Sequence, residues 1–464
     1  MTPERLRPVL GETRPLADAF AASGRRLYLV GGVVRDLVLG ADMDAADLDF
    51  TTDATPDQIK RLVGPMADAL WTQGERFGTI GAKVGDRTFE ITTHRAEAYR
   101  PDSRKPDVAF GTDVTEDLAR RDFTINAMAL DLTASEPQLI DPHGGLEDLL
   151  ARRLRTPLGP DVSFSDDPLR MMRGARFVAR FDLEPAPELV SAIHTMADRL
   201  EIVSRERIRD ELDKLMVVPD PSAGLWFLVD HGISAMVLPE LAEMRVAQDP
   251  IHRHKDVLTH TIAVAAKTSP NLVVRLAALF HDVGKPKTRS IGSSGVSFHH
   301  HEVVGARMTR DRMRALKYSN QMVDDVSHLV YLHLRFHTYQ MGWTDAAVRR
   351  FVRDAGPLLD ELIELTRCDC TTRNQRKADQ LSRRMDELEE RIAQVRLSEE
   401  LSSMRPDLNG ADVMAHLGVA PGPVVGRAMA FLLEVRLEEG PLERVGVLER
   451  LDAWWADQPE SSSM

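Results

Sequence analysis

The chain has 464 residues, a length that predicts about three domains rather than one. Its residues are 43% hydrophobic and 28% charged, which is typical of a soluble globular protein. The net charge of −13 argues against a nonspecific polyanion binder, although clustered arginines can still bind RNA on an acidic protein. Aromatic residues make up 5% of the chain, so base stacking on an aromatic platform is not expected to be the main RNA contact.

Two further features predict where the protein works. Cys368 and Cys370 are the only cysteines and lie too close together to brace a fold, which fits a reduced compartment. The N-terminus has no apolar core of a secretion signal, and no run of about 18 apolar residues occurs. The sequence therefore predicts a cytoplasmic protein that does not bind a membrane.

Helices and strands of the first 111 residues follow from periodicity and capping. The predicted elements are helices at 1–24 and 56–69, the second capped by Thr55, and strands at 27–30, 47–51, 77–84 and 88–92. Residues 93–111 are polar, with two prolines and five cations, and this composition predicts a mobile loop.

The stretch LVGGVVRDLVLGADMDAADLDFT carries the first chemical signal. The backbone amides of Gly31 and Gly32 can approach a phosphate because no Cβ is in the way. Arg35, one helical turn later, can donate to the same phosphate or to a ribose. On a strand, Asp47 and Asp49 point to one face and repel each other unless a cation lies between them. A divalent metal is the usual solution.

The string G-G-x-V-R-D followed by D-L-D-F resembles the signature of polymerase-beta-type nucleotidyltransferases that extend RNA 3′ ends. These are the class II CCA-adding enzymes and the bacterial poly(A) polymerases. The resemblance implies an α+β fold, in which a head with a small mixed sheet precedes all-α neck, HD and tail regions. It also implies that Asp47 and Asp49 hold two Mg²⁺ ions, with Glu90 as a third catalytic carboxylate. The alternative for Glu90 is a surface residue on an edge strand.

The resemblance extends through the polar loop and the string RRDFTINAMALD. Arg95 and Glu97 match the family's R-x-E pattern in a flexible loop thought to close over the nucleotide; solvated charges are the alternative. Arg121 and Asp122 are expected to hold triphosphate and ribose, and Asn126 faces the same way if the segment is helical. The apolar residues of this string are predicted to be core: Phe123, Ile125, Ala127, Met128 and Leu130.

The string SFSDDPLRMMRGARF is predicted to open a helical neck. Asp167 suits the helix N-cap, and Asp167 and Arg170 share a helix face. Cytosine and adenine both present an amine donor beside a ring-nitrogen acceptor, whereas guanine and uracil present the inverse pattern. A carboxylate paired with a guanidinium would therefore admit C and A and reject G and U.

The family's E-D-x-x-R motif is credited with this selection, and Asp166 here replaces its first Glu. Arg173 and Arg176 match positions that contact the nucleotide, with a structural ion pair as the alternative for one of them. The following string SRERIRDELDKL resembles a buried neck helix of the family.

A second constellation matches the HD phosphohydrolase pattern H…HD…D. Its predicted metal ligands are His260, His281, Asp282 and Asp369. Imidazole and carboxylate ligands suit Mg²⁺, Mn²⁺ or a harder transition metal, which can activate water against a phosphoester. Lys285 would help to hold the phosphate. His301 and His333 are candidates for a second metal site, and the alternative is a degenerate HD domain that serves as a scaffold.

The chain is accordingly divided into a nucleotidyltransferase head (1–150), a neck with the nucleotide-selecting helix (151–245), an HD domain (246–370) and a helical tail (371–464). A long solvated helix is predicted at 371–396, with compact helical turns after residue 407. Tail and neck together are expected to hold the RNA body by its backbone and shape.

The predicted function is template-independent addition of CCA to tRNA 3′ ends from CTP and ATP by two-metal nucleotidyl transfer. A metal-dependent phosphohydrolase activity of the HD domain accompanies it as a hypothesis. CCA addition is favoured over poly(A) synthesis because an enzyme that grips arbitrary RNA would carry a basic tail, and this tail is acidic. Two functions of a different class stay open: an HD phosphohydrolase with an inactive head, and a noncatalytic RNA-binding scaffold.

Overall fold

The computed structural model describes residues 7–41, 47–100, 103–246, 256–292, 295–336, 343–370, 375–399 and 405–460. The chain forms two compact units, Met1–Ala242 and Glu243–Met464. The four-region division proposed from the sequence is finer than this one and stays a prediction. No helix in the described ranges is long and apolar enough to cross a membrane.

The head is built on a seven-stranded mixed sheet with the order β3-β4-β5-β2-β1-β8-β9. Its strands are β1 (Leu27–Val30), β2 (Leu48–Thr52), β3 (Ala69–Trp71), β4 (Thr79–Val84), β5 (Arg87–Thr93), β8 (Ala129–Asp131) and β9 (Gln138–Ile140), and the strands β6 (Arg95–Arg100) and β7 (Ser103–Phe110) form a separate hairpin. The head helices are α1 (Arg7–Ala22), α2 (Gly32–Leu39), α3 (Pro56–Val63), α4 (Val114–Ala119) and α5 (Gly145–Leu150).

The apolar sequence LYLV of β1 is buried on both faces, as expected for a central strand. Leu27 and Leu29 enter one core with α1 and α3, whereas Tyr28 and Val30 pack on the opposite face. The strand–glycine turn–helix–strand order predicted for 27–51 is confirmed. The predicted core residues of the string RRDFTINAMALD are all buried.

Two head predictions need correction. The helix predicted to reach residue 69 ends at Val63, and β3 follows it. Thr55 does cap this helix, through a capping box with Gln58. The 93–111 segment, predicted to be a loop, forms the antiparallel hairpin β6–β7. A polar two-stranded ribbon needs no buried face, so composition alone does not distinguish it from a loop. The orientation of Asn126 was predicted on the condition that its segment is helical; residues 124–126 form a 3₁₀ turn.

Helices complete the first unit: α6 (Pro160–Asp166), α7 (Arg170–Phe181), α8 (Pro187–Met196), α9 (Arg205–Met216), α10 (Ser222–Asp230), α11 (Ile233–Val237) and α12 (Pro239–Glu243), with short strands β10 (Arg153–Leu154) and β11 (Glu184–Pro185). The neck opens with two helices instead of the one predicted. Asp167 ends α6, and its carboxylate accepts from the Leu169 amide at 3.2 Å. It thus caps the turn that leads into α7. Helix α7 packs against α9 and α10.

Within its described residues, the second unit has one strand pair, β12 (Arg289–Gly292) and β13 (Gly295–Phe298), and is otherwise built of helices. Its helices are α13 (Val257–Lys267), α14 (Leu272–Phe280), α15 (Lys285–Thr288), α16 (His301–Ala315), α17 (Asn320–Leu332), α18 (Asp345–Ala355), α19 (Leu359–Asp369), α20 (Gln375–Glu399), α21 (Gly410–Leu417), α22 (Pro423–Glu439) and α23 (Arg444–Ala456). The long charged helix and the compact tail helices predicted from the sequence are present. Helices α21, α22 and α23 enclose their own small apolar core.

Candidate active site

Two carboxylates face each other across neighbouring strands of the head. Asp49 on β2 is the register partner of Glu90 on β5, so both side chains lie on one face of the sheet. The surrounding protein atoms and the Glu90 charge raise the pKa of Asp49 to about 6. Asp47 is exposed and precedes β2, which begins at Leu48. Asp47 therefore lies outside the regular strand, and strand geometry does not place its side chain on the same face as that of Asp49.

Two connected cavities open from these carboxylates. The carboxylate cavity, of about 280 Å³, is lined by Val30, Asp49, Phe50, Thr79, Glu90, Thr92, Arg95, Arg120 and Arg121. The arginine cavity, of about 310 Å³, is lined by Gly31, Gly32, Asp49, Arg120, Arg121, Asp122, Asn126, Asp167, Arg170, Arg173 and Arg207. Asp49, Arg120 and Arg121 belong to both. Asp49 of the DLDF strand and the proposed base-selecting residues Asp167 and Arg170 thus line adjacent cavities that share a wall.

Gly31 is required by the backbone at the junction of the two cavities. Its φ is +77°, a left-handed conformation that favours glycine. A Cβ at this position would lie 3.3 Å from Arg121 Nη1 and 3.9 Å from Asp49 Oδ2. Glycine therefore leaves open the space between a cation and a carboxylate, where a phosphate would have to fit.

Arg121 is held by a buried acid that the sequence reasoning missed. Asp117 is fully buried. Its carboxylate accepts from Arg120 Nη2 at 2.7 Å, from Arg121 Nη2 at 3.1 Å and from the Arg95 amide at 3.3 Å. Burial alone would raise the pKa of Asp117, but the charges of Arg121 and Arg120 hold it well below its usual range. The i,i+3 and i,i+4 spacing of D-L-A-R-R is a signal that would have identified it.

Arg121 also keeps an unused donor beside the cavity. Its Nε is buried and has no hydrogen-bond partner among the described residues. A buried donor without a partner is costly, and an anion in the cavity would satisfy it.

Asp122 lies in the wall of the arginine cavity but is already engaged. It accepts from Asn126 Nδ2 at 3.0 Å and from Arg173 Nε at 2.8 Å. Burial would raise the pKa of Asp122, yet the Arg173 charge lowers it. Arg173 also lies 3.5 Å from Glu211 of α9. The predicted ribose contact of Asp122 would therefore have to coexist with an ion pair that joins the head to the neck.

Asp167 and Arg170 line the same cavity, each with a partner. Arg170 Nη1 donates to Ser163 Oγ at 2.8 Å, and its Nη2 donates to the Arg120 carbonyl at 2.5 Å. Arg207 donates to both carboxylate oxygens of Asp167, at 3.2 Å and 2.6 Å. Arg207 was not predicted as a site residue, because it lies 40 positions away on a helix interpreted as scaffold.

Two predicted nucleotide-binding arginines do not line either cavity. Arg35 is buried: its Nη1 donates to Asn126 at 2.5 Å and its Nε to Asp36 at 2.8 Å, while the Phe181 ring lies 4.2 Å away. Arg176 is buried and donates to Glu211 at 2.9 Å. These contacts favour structural roles: Arg35 pairs with Asp36 inside the head and packs on Phe181 of the neck, and Arg176 pairs with Glu211 inside the neck.

The carboxylates of the head suit a magnesium ion that is bound by protein and substrate together. Asp49 and Glu90 do not belong to any compact group of three metal-ligand side chains within the described ranges. Mg²⁺ usually takes one or two carboxylates together with substrate phosphates and water. Two neighbouring carboxylates beside a cationic cavity meet that requirement.

In the second unit the four residues of the HD pattern converge. His260 Nε2 lies 2.9 Å from Asp369 Oδ1 and 3.2 Å from His281 Nε2. His281 Nε2 lies 3.2 Å from Asp282 Oδ2. Lys285 donates to the same Asp282 oxygen at 2.6 Å. Residues from separate segments of the chain, grouped by the sequence pattern alone, thus lie at one place.

The ligand atoms fall into two groups, each with its atoms within 4.8 Å of one another: His260, His281 and Asp369, and then Asp282, His301 and His333. Asp282 faces both groups, since its Oδ1 lies 3.4 Å from His301 Nε2 and its Oδ2 lies 3.2 Å from His281 Nε2. The geometry therefore suits two ions with Asp282 between them.

The histidine orientations support metal binding. The Nδ1 atoms of His281, His301 and His333 each contact a backbone carbonyl three residues earlier, at 2.8, 2.8 and 2.6 Å. Such a contact fixes the ring and directs its other nitrogen to a metal. The Nε2 atoms of His301 and His333 are buried and have no hydrogen-bond partner among the described residues.

The electrostatics of this cluster point the same way. Burial lowers the pKa of His333 to about 3, which keeps it in the neutral, ligand form. Burial would also lower the pKa of His281, but Asp282 and Asp369 raise it to about 10. The two carboxylates thus favour positive charge at His281. A metal ion bound there would supply that charge and displace the proton from the imidazole.

Comparisons with known proteins agree with this architecture. Residues 27–155 match the family described as Poly A polymerase head domain. Residues 182–245 match the "Probable RNA and SrmB- binding site of polymerase A" and residues 257–395 match the HD domain. The head match and the paired carboxylates are both typical of the nucleotidyltransferase class.

Full-length relatives give the family. The chain is 33% identical to the A-adding tRNA nucleotidyltransferase of Deinococcus radiodurans, over 94% of this chain and 96% of that protein. It is 31% identical to the CC-adding tRNA nucleotidyltransferase of Thermus thermophilus, over 92% of each. The chain therefore belongs to the tRNA nucleotidyltransferase family.

A solved structure shares the fold along the whole chain. It is described as the Bacillus stearothermophilus CCA-adding enzyme in complex with CTP. The TM-score is 0.68 at 23% identity, covering 98% of this chain and all of that one. The predicted α+β head followed by helical regions is confirmed by this likeness.

Proposed function

We propose that the protein adds C and A nucleotides to the 3′ end of tRNA, using CTP and ATP, and so builds the CCA end. The observation that carries the proposal is the shared wall of the two cavities. Asp49 stands between a second carboxylate, Glu90, and an arginine-rich space that ends at Asp167 and Arg170. This arrangement suits a nucleoside triphosphate whose reacting phosphate lies at the carboxylates.

In this proposal the residues of the arginine cavity hold the substrate. Arg121, fixed by Asp117, and the amides at Gly31–Gly32 bind the triphosphate. Asp167 accepts from the exocyclic amine of C or A, and Arg170 donates to the adjacent ring nitrogen. Guanine and uracil present the inverse donor pattern, so neither Asp167 nor Arg170 would gain a complementary hydrogen bond from these bases.

The reaction joins the 3′-hydroxyl oxygen of the RNA to the α-phosphorus and breaks the bond to the leaving pyrophosphate. Asp47 and Asp49, the predicted metal pair, would hold Mg²⁺ together with Glu90 as the third acid. Mg²⁺ held there would lower the pKa of the RNA 3′-hydroxyl and offset the charge of the leaving pyrophosphate. The protein residues orient hydroxyl and triphosphate in line, the geometry on which phosphoryl transfer depends.

The relatives are named for A addition, CC addition and CCA addition, so the extent of addition needs a direct test. Purified protein is incubated with Mg²⁺, each nucleotide singly, and tRNA that ends before the first C, after one C, or after both. The proposal expects CTP addition to the first two substrates and ATP addition to the third. A-only or CC-only products would restrict the function to part of the CCA sequence, and poly(A) tracts would contradict it.

We propose a second activity for the HD domain, the metal-dependent hydrolysis of terminal phosphates such as 2′,3′-cyclic RNA ends. It is carried by the two ligand groups around Asp282 and their fixed imidazoles. A bound divalent ion there would activate water against the phosphoester. Hydrolysis of 2′,3′-cyclic AMP with Mg²⁺, Mn²⁺ or Ni²⁺ tests it, and no turnover with any of them would favour a scaffold role.

The RNA body and the compartment follow from this function. The tail helices and the neck would hold the tRNA body, and a tRNA-modifying enzyme of this kind would work in the cytoplasm. Footprinting of tRNA with the full chain and with a chain truncated before residue 405 tests the first prediction.

A further inference from the structure

We propose that Trp71 and Phe77 form a stacking platform for the 3′-terminal base of the RNA that receives the new nucleotide. This inference rests on the proposed function and names the acceptor side of the same site. It also revises the expectation, drawn from the low aromatic content, that stacking contributes little to RNA binding.

The platform lies in line with the catalytic carboxylates. The sheet register runs Asp49, Glu90, Gly81, Trp71 across β2, β5, β4 and β3. Residues directly opposite in a sheet point to the same face. Trp71 therefore shares a face with Asp49 and Glu90, and two strand spacings place its Cα roughly 10 Å from that of Glu90.

Gly81 lets the indole reach towards the carboxylates. A Cβ at Gly81 would lie 1.8 Å from Trp71 Nε1, so the indole rests directly on the strand backbone. No other residue type fits at Gly81 with the indole in this position. Because Gly81 has no side chain, the indole of Trp71 on the edge strand β3 lies over β4. It forms an aromatic surface that reaches towards Glu90 on β5.

A third cavity, the aromatic cavity, opens above this surface. Its volume is about 400 Å³, and it is lined by Trp71, Gln73, Gly74, Phe77, Thr79, Gly81, Glu90 and Arg95. It shares Thr79, Glu90 and Arg95 with the carboxylate cavity. Three cavities therefore follow one another along the head, with the carboxylates in the middle.

The order of the cavities identifies the occupant. In nucleotidyl transfer the attacking hydroxyl and the leaving pyrophosphate lie on opposite sides of the reacting phosphorus. The arginine cavity takes the triphosphate, so the hydroxyl must arrive from the opposite side of Asp49 and Glu90. The aromatic cavity is on that side. Its occupant carries a 3′-hydroxyl and a flat base, which makes it the terminal nucleoside of the acceptor RNA.

The phenylalanines beside the half-buried Trp71 are exposed, which supports a ligand-binding role, and the Arg76 guanidinium lies 4.5 Å from the centroid of the Phe77 ring. Among the described residues, the exposed phenylalanines are Phe77 and Phe110, at 36% and 50%. Both lie at this place: Phe77 lines the cavity, and the Phe110 ring approaches Gly78, the residue that follows Phe77. Stacking tolerates any base because every base has a π face. That suits an acceptor whose last base changes as nucleotides are added.

The test combines protein and RNA changes. Trp71→Leu removes the π face, Trp71→Phe keeps part of it, and Leu70→Ala is the matched control. Leu70 is the neighbour on β3 and points to the opposite face. Each protein is assayed with an acceptor that ends in a normal nucleotide and with one that ends in an abasic nucleotide.

We expect Trp71→Leu to raise the KM for the normal acceptor by roughly 5- to 150-fold, the value of one stacked base, with the KM for CTP unchanged. The abasic end should weaken the wild type similarly and add little to Trp71→Leu, because both changes remove one contact. Trp71→Phe should be intermediate and Leu70→Ala normal. An unchanged acceptor KM, fully additive losses, or a raised CTP KM would overturn the inference.

A binding measurement separates this inference from the proposed function. With 2-aminopurine as the terminal base, binding to the wild type should quench its fluorescence, and Trp71→Leu should not. If the wild-type protein incorporates no nucleotide, the proposed function is wrong. The quenching measurement still shows whether the terminal base stacks on Trp71. Quenching that survives in Trp71→Leu contradicts the platform even if the enzyme is active.

Discussion

Replacement of Asp117 by Asn should separate the role of the buried acid in substrate binding from its role in stability. Asp117 lines none of the three cavities, yet it accepts hydrogen bonds from the side chains of Arg120 and Arg121 and from the backbone amide of Arg95. Asn preserves the shape of the side chain but removes the charge. Arg121 would keep its position only loosely, so we expect a raised KM for CTP and ATP.

The magnitude follows from burial and partners. Asp117 is fully buried, whereas the side chains of Arg120 and Arg121 are 20% and 22% exposed. Breaking a fully buried pair costs about 3–5 kcal/mol, and partial exposure of the partners reduces this to about 2–4 kcal/mol of unfolding free energy. Loss of one well-placed charged hydrogen bond to phosphate, about 1.5–3 kcal/mol, corresponds to a rise of roughly 10- to 150-fold in KM.

The pH dependence has a definite sign. Because the folded pKa of Asp117 is depressed, its stabilisation is fully present above the unfolded value of about 3.9 and is lost as the pH falls below it. The stability difference between wild type and Asp117→Asn should therefore be constant near pH 7 and shrink below about pH 4.

Asp148→Asn is the matched control. Asp148 is also fully buried and accepts from Arg155 Nε at 2.9 Å and from Thr124 Oγ1 at 2.7 Å. It lines none of the three cavities. Thermal unfolding and steady-state kinetics are measured on both variants. A similar stability loss with a CTP KM raised only in Asp117→Asn is expected. Equal KM values in the two variants would refute the positioning role.

Other substitutions test separate parts of the site. Asp49→Asn should reduce CTP incorporation by at least about 10³-fold with the melting temperature maintained, and substantial residual activity would contradict its metal-binding role. Asp167→Ala should narrow the preference for CTP over UTP by roughly 10-fold or more, measured by competitive incorporation, whereas undiminished discrimination would assign base selection elsewhere. Asp282→Ala should abolish Mn²⁺ binding to the HD domain by calorimetry and leave CTP incorporation intact; full retention of the metal would refute the bridging position.

Local motifs were the part of the site that sequence could predict. Asp49, Arg121, Asp167 and Arg170 lie in short strings whose spacing suggests their chemistry, and the structure gathers them around connected cavities. The roles of these residues remain predictions, whereas their proximity is seen in the structure. The apolar run at 27–30 likewise predicted a strand, and its central position in the sheet explains why the run is continuous.

Long-range packing was the part that sequence could not predict. The burial of Arg35 depends on Phe181 of a helix about 150 residues later. The Arg207–Asp167 pair depends on how two neck helices cross. The position of the Trp71 platform beside the carboxylates depends on the register of four strands, which sequence does not give. The isolated glycine at 81 within a strand pattern was the one available signal, because such a glycine often marks close backbone approach.

The central claim is that one nucleotide fits between the DLDF carboxylates and the pair Asp167–Arg170. It is tested most directly by incubating the protein with tRNA that lacks CCA, with Mg²⁺, and with one of the four nucleotides at a time. The account predicts that CTP alone extends this RNA, by two residues, and that ATP then adds one more. Extension by GTP or UTP at comparable rates, or no extension by CTP, would contradict it.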